Sequence, residues 1–413
     1  GEPGMALVFI MHLAPGHKSL LPELLARATK MPVNEITSGM IPEINHVYVK
    51  PPNTELSIAG GELLLSPKKD TTSKHLPIDI FFRSLAEEHG NRSIGVILSG
   101  TATDGTLGAG VIKAEGGIVF AQDEKSATFN DMPQSAITAG CVDFVLPPEK
   151  IARELARIAK HPFLAPAATV RAGEPIITEG KGMEGIFAIL RSAQGLDFAY
   201  YKRPTIARRV ARRIILLKLG NLKSYLKFLR ENKDEVNSLY EDLLINVTSF
   251  FRDPKAFQVL EKSVIPAILK SKTKDQGIRI WVPGCSSGEE TYSIAMLLAE
   301  ALGEKAGAVP VQIFATDMSG SSIHKARRGI YGKNIKDAIA PKRLKRFFSR
   351  KDDSYEISKQ LRELCVFSKQ NVFADPPFSN LDLISCRNLL IYLQPAAQKK
   401  VFHHFHYGLQ PGG

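Results

Sequence analysis

Residues 278–296, IRIWVPGCSSGEETYSIAM, constrain the fold more than any other stretch of this 413-residue chain. Ile278, Ile280 and Val282 alternate as in a strand, Gly284 and Gly288 mark a turn, and a helical run follows. Strand, glycine turn and helix form the unit from which a doubly wound α/β domain builds a pocket at the carboxyl ends of its strands. The acidic pair Glu289-Glu290 at the helix start narrows the ligand. A phosphate-cradling turn keeps carboxylates away from a helix N-terminus, because the bound anion sits there. An acidic pair suits a ligand with an amine or ribose hydroxyls and no phosphate.

S-adenosylmethionine is such a ligand. By itself Gly-x-x-x-Gly reads equally well as a structural turn, so the neighbouring segments carry weight. VPVQIFATDMSG reads as a second strand ending at Asp317, where folds of this class hold ribose hydroxyls. The apolar run LDLISCRNLLIYL, residues 381–393, is broken by Cys386, Arg387 and Asn388. That triplet is either the end of a buried strand or a polar tip at the mouth of the same pocket.

Four stretches, NVTSFFRDP (246–254), WVPGCSSGEETYSIAM (281–296), FATDMSGSSIHKARRGIY (314–331) and CRNLLIYL (386–393), resemble the chemotaxis receptor glutamate methyltransferases of the CheR type. The resemblance covers residues 181–413. FIMHLAPGHKSLL (9–21), HVYVKPPNTEL (46–56), IGVILSGTATDGTLG (94–108) and FNDMPQSAI (129–137) resemble the catalytic domain of the CheB-type receptor methylesterases. In tandem they look like the fused methylesterase–methyltransferases of bacterial chemosensory systems, here truncated at both ends. The opening GEPGMALVF has no initiator Met, which suggests numbering that begins inside a larger protein with further signalling domains.

The resemblance implies a parallel-sheet α/β methylesterase-like domain over 1–160, a linker over 161–180, an all-helical receptor-docking subdomain over 181–254, and a doubly wound methyltransferase domain over 255–413. It implies that Asn246, Thr248 and Arg252 lie over cofactor and acceptor, with Arg252 orienting a substrate carboxylate. Glu290 and Asp317 would hold polar parts of S-adenosylmethionine, or of its product S-adenosylhomocysteine. Asn371 and Val372 would line the adenine side, Arg387 and Asn388 the methionine side, and Tyr392 would stand near the methyl group. Read from the residues alone, Arg252 is a salt-bridge partner of a neighbour and Tyr392 a core tyrosine. An ionised glutamate acceptor, with a pKa near ~4.3, needs orientation more than a general base.

The segment 202–213 contains Lys202, Arg203, Arg208, Arg209, Arg212 and Arg213 and no acidic residue. Arg208/Arg212 and Arg209/Arg213 are i,i+4 pairs that repel unless a partner neutralises them. A solvated face is one reading; docking on glutamate-rich receptor helices is what the resemblance implies. In the first domain, the resemblance makes His12 and Asp104 members of a Ser-His-Asp triad. The chain contains no Gly-x-Ser-x-Gly-Gly turn for the nucleophile, so the expectation is an inactive esterase half as numbered.

The net charge of +12 implies an acidic partner or a nucleic acid without choosing between them. No apolar run reaches the ~20 residues of a membrane span, and a cytoplasmic setting is expected. Cys141, Cys285, Cys365 and Cys386 form no C-x-x-C pair and no His clusters near them, so neither zinc nor another metal is expected. Two other readings stay open. DPPF at 375–378 is similar to the motif with which amino-methyltransferases stack a flipped base. A receptor-binding scaffold without catalysis is the other, and binding of S-adenosylhomocysteine separates it from an enzyme.

Overall fold

The computed structural model describes residues 3–12, 19–68, 76–164, 181–272, 277–303, 309–352 and 354–413. It divides into two compact units, one of Gly1–Ile189 with Ile206–Leu239, the other of Leu190–Thr205 with Tyr240–Gly413. The expected linker, 161–180, lies outside the described residues from 165 onward.

The first unit holds two parallel three-stranded sheets. In one, Val47–Val49 pairs with Leu7–Phe9 and Val33–Glu35; in the other, Ile118–Gln122 pairs with Ile94–Ile97 and Phe144–Leu146. Every residue of Ile118–Gln122 is buried, as a parallel strand covered on both faces requires. A hairpin, Thr54–Ala59 with Glu62–Pro67, turns through Gly60-Gly61, both at positive φ. Helices Pro77–His89, Thr106–Ala114, Asp131–Thr138 and Pro148–Ala159 accompany the sheets.

Residues of the all-helical segment are shared between the two units. Ile206–Leu239 belongs to the first unit, and Ile215 is buried in one apolar cluster with Ile118, Phe120, Ile151 and Ile158. Its helices Leu222–Glu231 and Lys233–Leu243 form where the apolar periodicity places them, the first capped by the Asn221 side chain.

The second unit is built on a parallel sheet in which Ile278–Pro283 is central. Val311–Asp317 and then Cys365–Lys369 lie to one side of it and Leu383–Ile384 to the other. Numbered along the chain this is the order 3-2-1-4, so strand order reverses between the first and fourth strands, where such sheets open a crevice. The helix Glu289–Leu302 follows the first strand and is almost wholly buried. A separate antiparallel sheet is formed by Ile330–Gly332, Ser354–Ile357 and Phe348–Lys351. Cys365–Lys369 pairs with Val311–Asp317 in the main sheet.

Candidate active site

A cleft opens in the second unit at the carboxyl ends of the strands, where the order reverses. Gly284 and Gly288 take φ of 72° and 92°, and between them Ser286 is held at 49°. A Cβ on Gly288 would come within 3.0 Å of the Ala326 side chain, so the turn has room only for glycine there. The turn is pinned to the second strand, with Gly284 N and Cys285 N both donating to Thr316 O at 2.7 and 3.0 Å.

Asp317 closes that strand. Its Oδ2 accepts from Ser286 N and its Oδ1 from Ser319 N, each at 2.8 Å. Burial pushes its carboxyl above the ordinary range, and the two backbone donors oppose the shift. Each oxygen keeps further acceptor capacity for a ligand hydroxyl.

The acidic pair divides its work. Successive helical residues point roughly 100° apart. Glu289 turns inward, 7% exposed, and accepts from Ser287 Oγ at 2.7 Å. Glu290 faces the cleft and accepts from Ser385 Oγ at 2.6 Å. Burial raises the Glu290 pKa, opposed first by that hydroxyl and then by Arg387.

Arg387 lies at the tip of the fourth strand. Its Nη2 donates to Arg252 O (2.7 Å) and Asp253 Oδ2 (2.6 Å), and its guanidinium sits over the Phe257 ring. Its Nη1 is buried with no hydrogen-bond acceptor among the described residues; Glu290 Oε2 is 3.9 Å away. Arg252 donates to Val247 O at 2.7 Å, tying down the loop Asn246–Arg252 along the cleft. Phe251, Asp253 and Asn388 are non-glycine residues at positive φ, as is Ser286, so four unfavourable backbone conformations gather around one cleft. Such strain persists only where the surroundings over-determine it, and it clusters at functional sites.

Of the residues the sequence proposed for this site, Asn246, Thr248, Arg252, Glu290, Asp317, Val372, Arg387, Asn388 and Tyr392 line the cleft. Asn371 does not. Its side-chain oxygen accepts from Phe373 N at 3.0 Å and shapes a turn, leaving Gln370, Val372 and Phe373 at the wall. Tyr201 was not foreseen as a site residue. It lines the cleft from the helical segment, packs near Phe198 and Phe373, and is held in place where Lys202 N donates to Tyr392 O at 2.9 Å. Burial, then the nearby Asp317, keep its hydroxyl protonated. In the DPPF segment, Phe378 is not among the lining residues and stacks on Phe314 at 4.2 Å, so its ring does not present itself for a base.

The first unit carries a second constellation. His12 Nε2 lies 2.8 Å from Asp104 Oδ2, with the imidazole half exposed and the carboxylate buried. Asp104 also accepts from the backbone of Ile78, Asp79 and Gly105. Ile78 and Asp79 begin the helix Pro77–His89, whose positive end stabilises the carboxylate. A carboxylate held in this way fixes the orientation of the imidazole through its Nε2.

The arginine stripe is largely buried in the same unit. Arg209 is 3% and Arg212 1% exposed. Arg209 donates to Lys113 O and Ala114 O at the carbonyl end of Thr106–Ala114, and Arg212 to Gly117 O and the Asp143 carboxylate. Arg208 pairs with Glu115 at 3.4 Å and Arg213 with Glu235 at 2.9 Å. Among the described residues no group of three His, Cys, Asp or Glu is placed to hold a metal ion.

Comparison with known proteins bears on both constellations. Residues 246–413 match the family model "CheR methyltransferase, SAM binding domain", 181–244 match "CheR methyltransferase, all-alpha domain", and 1–155 match "CheB methylesterase". The chain is 32% identical to the chemotaxis protein methyltransferase of Borreliella burgdorferi over 51% of its own length and 77% of that protein. The chain belongs to the CheR methyltransferase family, fused behind a CheB methylesterase domain. An uncharacterized 104.1 kDa protein of Rhodobacter capsulatus is 37% identical over 94% of this chain, which spans 43% of that protein's length. The CheB methylesterase catalytic domain of Thermotoga maritima is 30% identical over 38% of this chain and 86% of its own, with a TM-score of 0.35. The family matches and the two sets of parallel sheets together make the fold mixed α/β, with a CheB-like domain first and a methyltransferase-like domain last.

Proposed function

We propose that this chain transfers a methyl group from S-adenosylmethionine to glutamate side chains of chemotaxis receptors. The observation that carries the reading is a cleft with two half-buried carboxylates, Asp317 and Glu290, beside Arg387, whose buried Nη1 has no hydrogen-bond acceptor among the described residues. That set matches a ligand with an amino-acid end and ribose hydroxyls. S-adenosylmethionine supplies a methyl already activated by its sulfonium. Arg387 Nη1 would take the ligand's carboxylate, Glu290 its ammonium, and Asp317 its ribose. Tyr201, Val372 and Phe373 supply an apolar wall for a purine ring. The Asn246–Arg252 loop and Tyr392 hold the acceptor and exclude water, and no residue is needed as a base because a glutamate acceptor is ionised at neutral pH.

The CheB-like half would hydrolyse the resulting methyl esters when its His12–Asp104 pair is given a nucleophilic serine. As numbered here the sequence has no Gly-x-Ser-x-Gly-Gly turn, so we assign this half no hydrolysis by that route. The test is incubation with methyl-labelled cofactor and a glutamate-rich receptor peptide. Label on the peptide that mild base releases as methanol supports a glutamyl ester. Cofactor binding without any labelled peptide refutes the acceptor.

A further inference from the structure

The DPPF segment presents no ring to a base, but it buttresses the strand end beside the cleft. Asp375 Oδ2 accepts from Asn371 N at 2.7 Å, and Asp375 N donates to Asn371 O at 2.9 Å. Pro376 O accepts from Gln370 Nε2 at 2.8 Å. Gln370 directly follows the strand Cys365–Lys369, and its own N donates to Asp317 O at 3.1 Å. It lines the cleft with Val372 and Phe373. The bond to Pro376 fixes which way the Gln370 amide lies. A carbonyl only accepts, so the NH2 end faces Pro376 and the oxygen is left as an acceptor. Gln370 Oε1 is buried and has no hydrogen-bond donor among the described residues. A buried acceptor without a donor is costly. The neighbouring amide oxygen of Asn371 already accepts from Phe373 N.

We infer, on the S-adenosylmethionine reading above, that Gln370 is a specificity-determining residue for the cofactor's base. Its Oε1 accepts from the exocyclic amine of adenine. Asp317, the residue read as holding the ribose, is bonded through its own carbonyl to Gln370 N, and Val372 and Phe373 continue the same wall. A base attached to that ribose therefore meets this strand end. Adenine's N7 is an acceptor and its exocyclic amine a donor, so an acceptor at this wall selects the amine. A base without that amine leaves Oε1 buried and unpaired, and a site built to bond an N–H rejects a ligand that lacks it.

The experiment is titration calorimetry on the full chain with two probes. One is S-adenosylhomocysteine; the other is its analogue with hydrogen in place of the exocyclic amine. The unaltered chain is expected to bind the analogue at least about tenfold more weakly. In Gln370→Leu that preference should shrink to under about threefold, because the acceptor is gone. Gln370→Met, which keeps an unbranched side chain of similar length, should do the same and serves if the leucine variant fails to fold. Each preference compares two ligands on one protein, so a general loosening of the cleft cancels. A folded variant that keeps the full preference overturns the assignment, as does an unaltered chain that binds both probes equally. Absence of binding by both probes refutes the cofactor reading and this assignment together. Binding with an unaltered preference in the variants refutes this assignment alone.

Discussion

Asp317→Ala tests the cleft at its most constrained residue. The carboxylate satisfies Ser286 N and Ser319 N, both at 2.8 Å, and so fixes the glycine turn to the end of the second strand. Removing it leaves two backbone donors without an acceptor, at ~1–3 kcal/mol each if they stay buried. Part of that cost is returned, because burial already disfavours the charge at this site. A fall in Tm of several degrees is expected, at roughly 2–4 °C per kcal/mol for a domain of this size. A ligand hydroxyl bonded to the carboxylate would lose a charge-assisted bond worth ~1.5–3 kcal/mol. The Kd for S-adenosylhomocysteine should therefore rise roughly 10- to 150-fold. Titration calorimetry and thermal unfolding on the same sample separate the two effects. A variant that melts cooperatively and binds S-adenosylhomocysteine with unchanged affinity would refute the assignment of Asp317 to the ribose.

Four further outcomes are expected. Ser385→Ala removes a hydroxyl bonded to Glu290 and should weaken S-adenosylhomocysteine about tenfold, with Ser385→Thr restoring most of it; equal binding by all three would remove Ser385 from the site. Glu290 and Asp317 carry raised carboxyl pKa values in the unliganded fold, so the folded chain holds those protons to higher pH than the unfolded one. Its stability without ligand should fall as pH rises from the ordinary carboxylate value to the raised ones. Affinity for the ammonium-bearing ligand should rise over the same window, and calorimetry in buffers of different ionisation enthalpy would read the proton release. Arg212→Ala leaves Asp143 buried without its cation and should cost ~3–5 kcal/mol in urea unfolding, against under ~1 kcal/mol if the pair were solvent-exposed. The 413-residue chain should not hydrolyse receptor methyl esters above background, and a strong rate would mean that a residue outside the expected serine turn is the nucleophile.

Much of the cleft was legible in the order of motifs. Strand, glycine turn and acidic helix start gave the first strand and its helix, and Asp317 stood where a second strand had to end. What remained hidden depends on distances along the chain. Glu289 and Glu290 are adjacent and alike in composition, and only the helical turn, with Ser287 on one side and Ser385 on the other, decides which one faces the ligand. Ser385 is 95 residues from Glu290, and Tyr201 reaches the cleft from a segment whose periodicity says only helix. Asn371 was expected on the adenine side from the resemblance; in the fold its short amide accepts from a local backbone donor, while its neighbours Gln370 and Val372 line the cleft. The setting of the arginine stripe was hidden in the same way. Its repulsion was legible, but the acceptors of Arg208, Arg209 and Arg212 lie 69 to 96 residues upstream, so no local pattern could show that Arg209 and Arg212 are buried.

The account stands on one cleft that takes S-adenosylmethionine or its product. Titration of the chain with S-adenosylhomocysteine measures this most directly, with Arg387→Ala as the paired control because Nη1, without a hydrogen-bond acceptor among the described residues, is the atom proposed to take the ligand's carboxylate. The account predicts saturable binding at one site per chain, weakened in Arg387→Ala. No heat of binding by the folded chain, or equal affinity in the control, would contradict it.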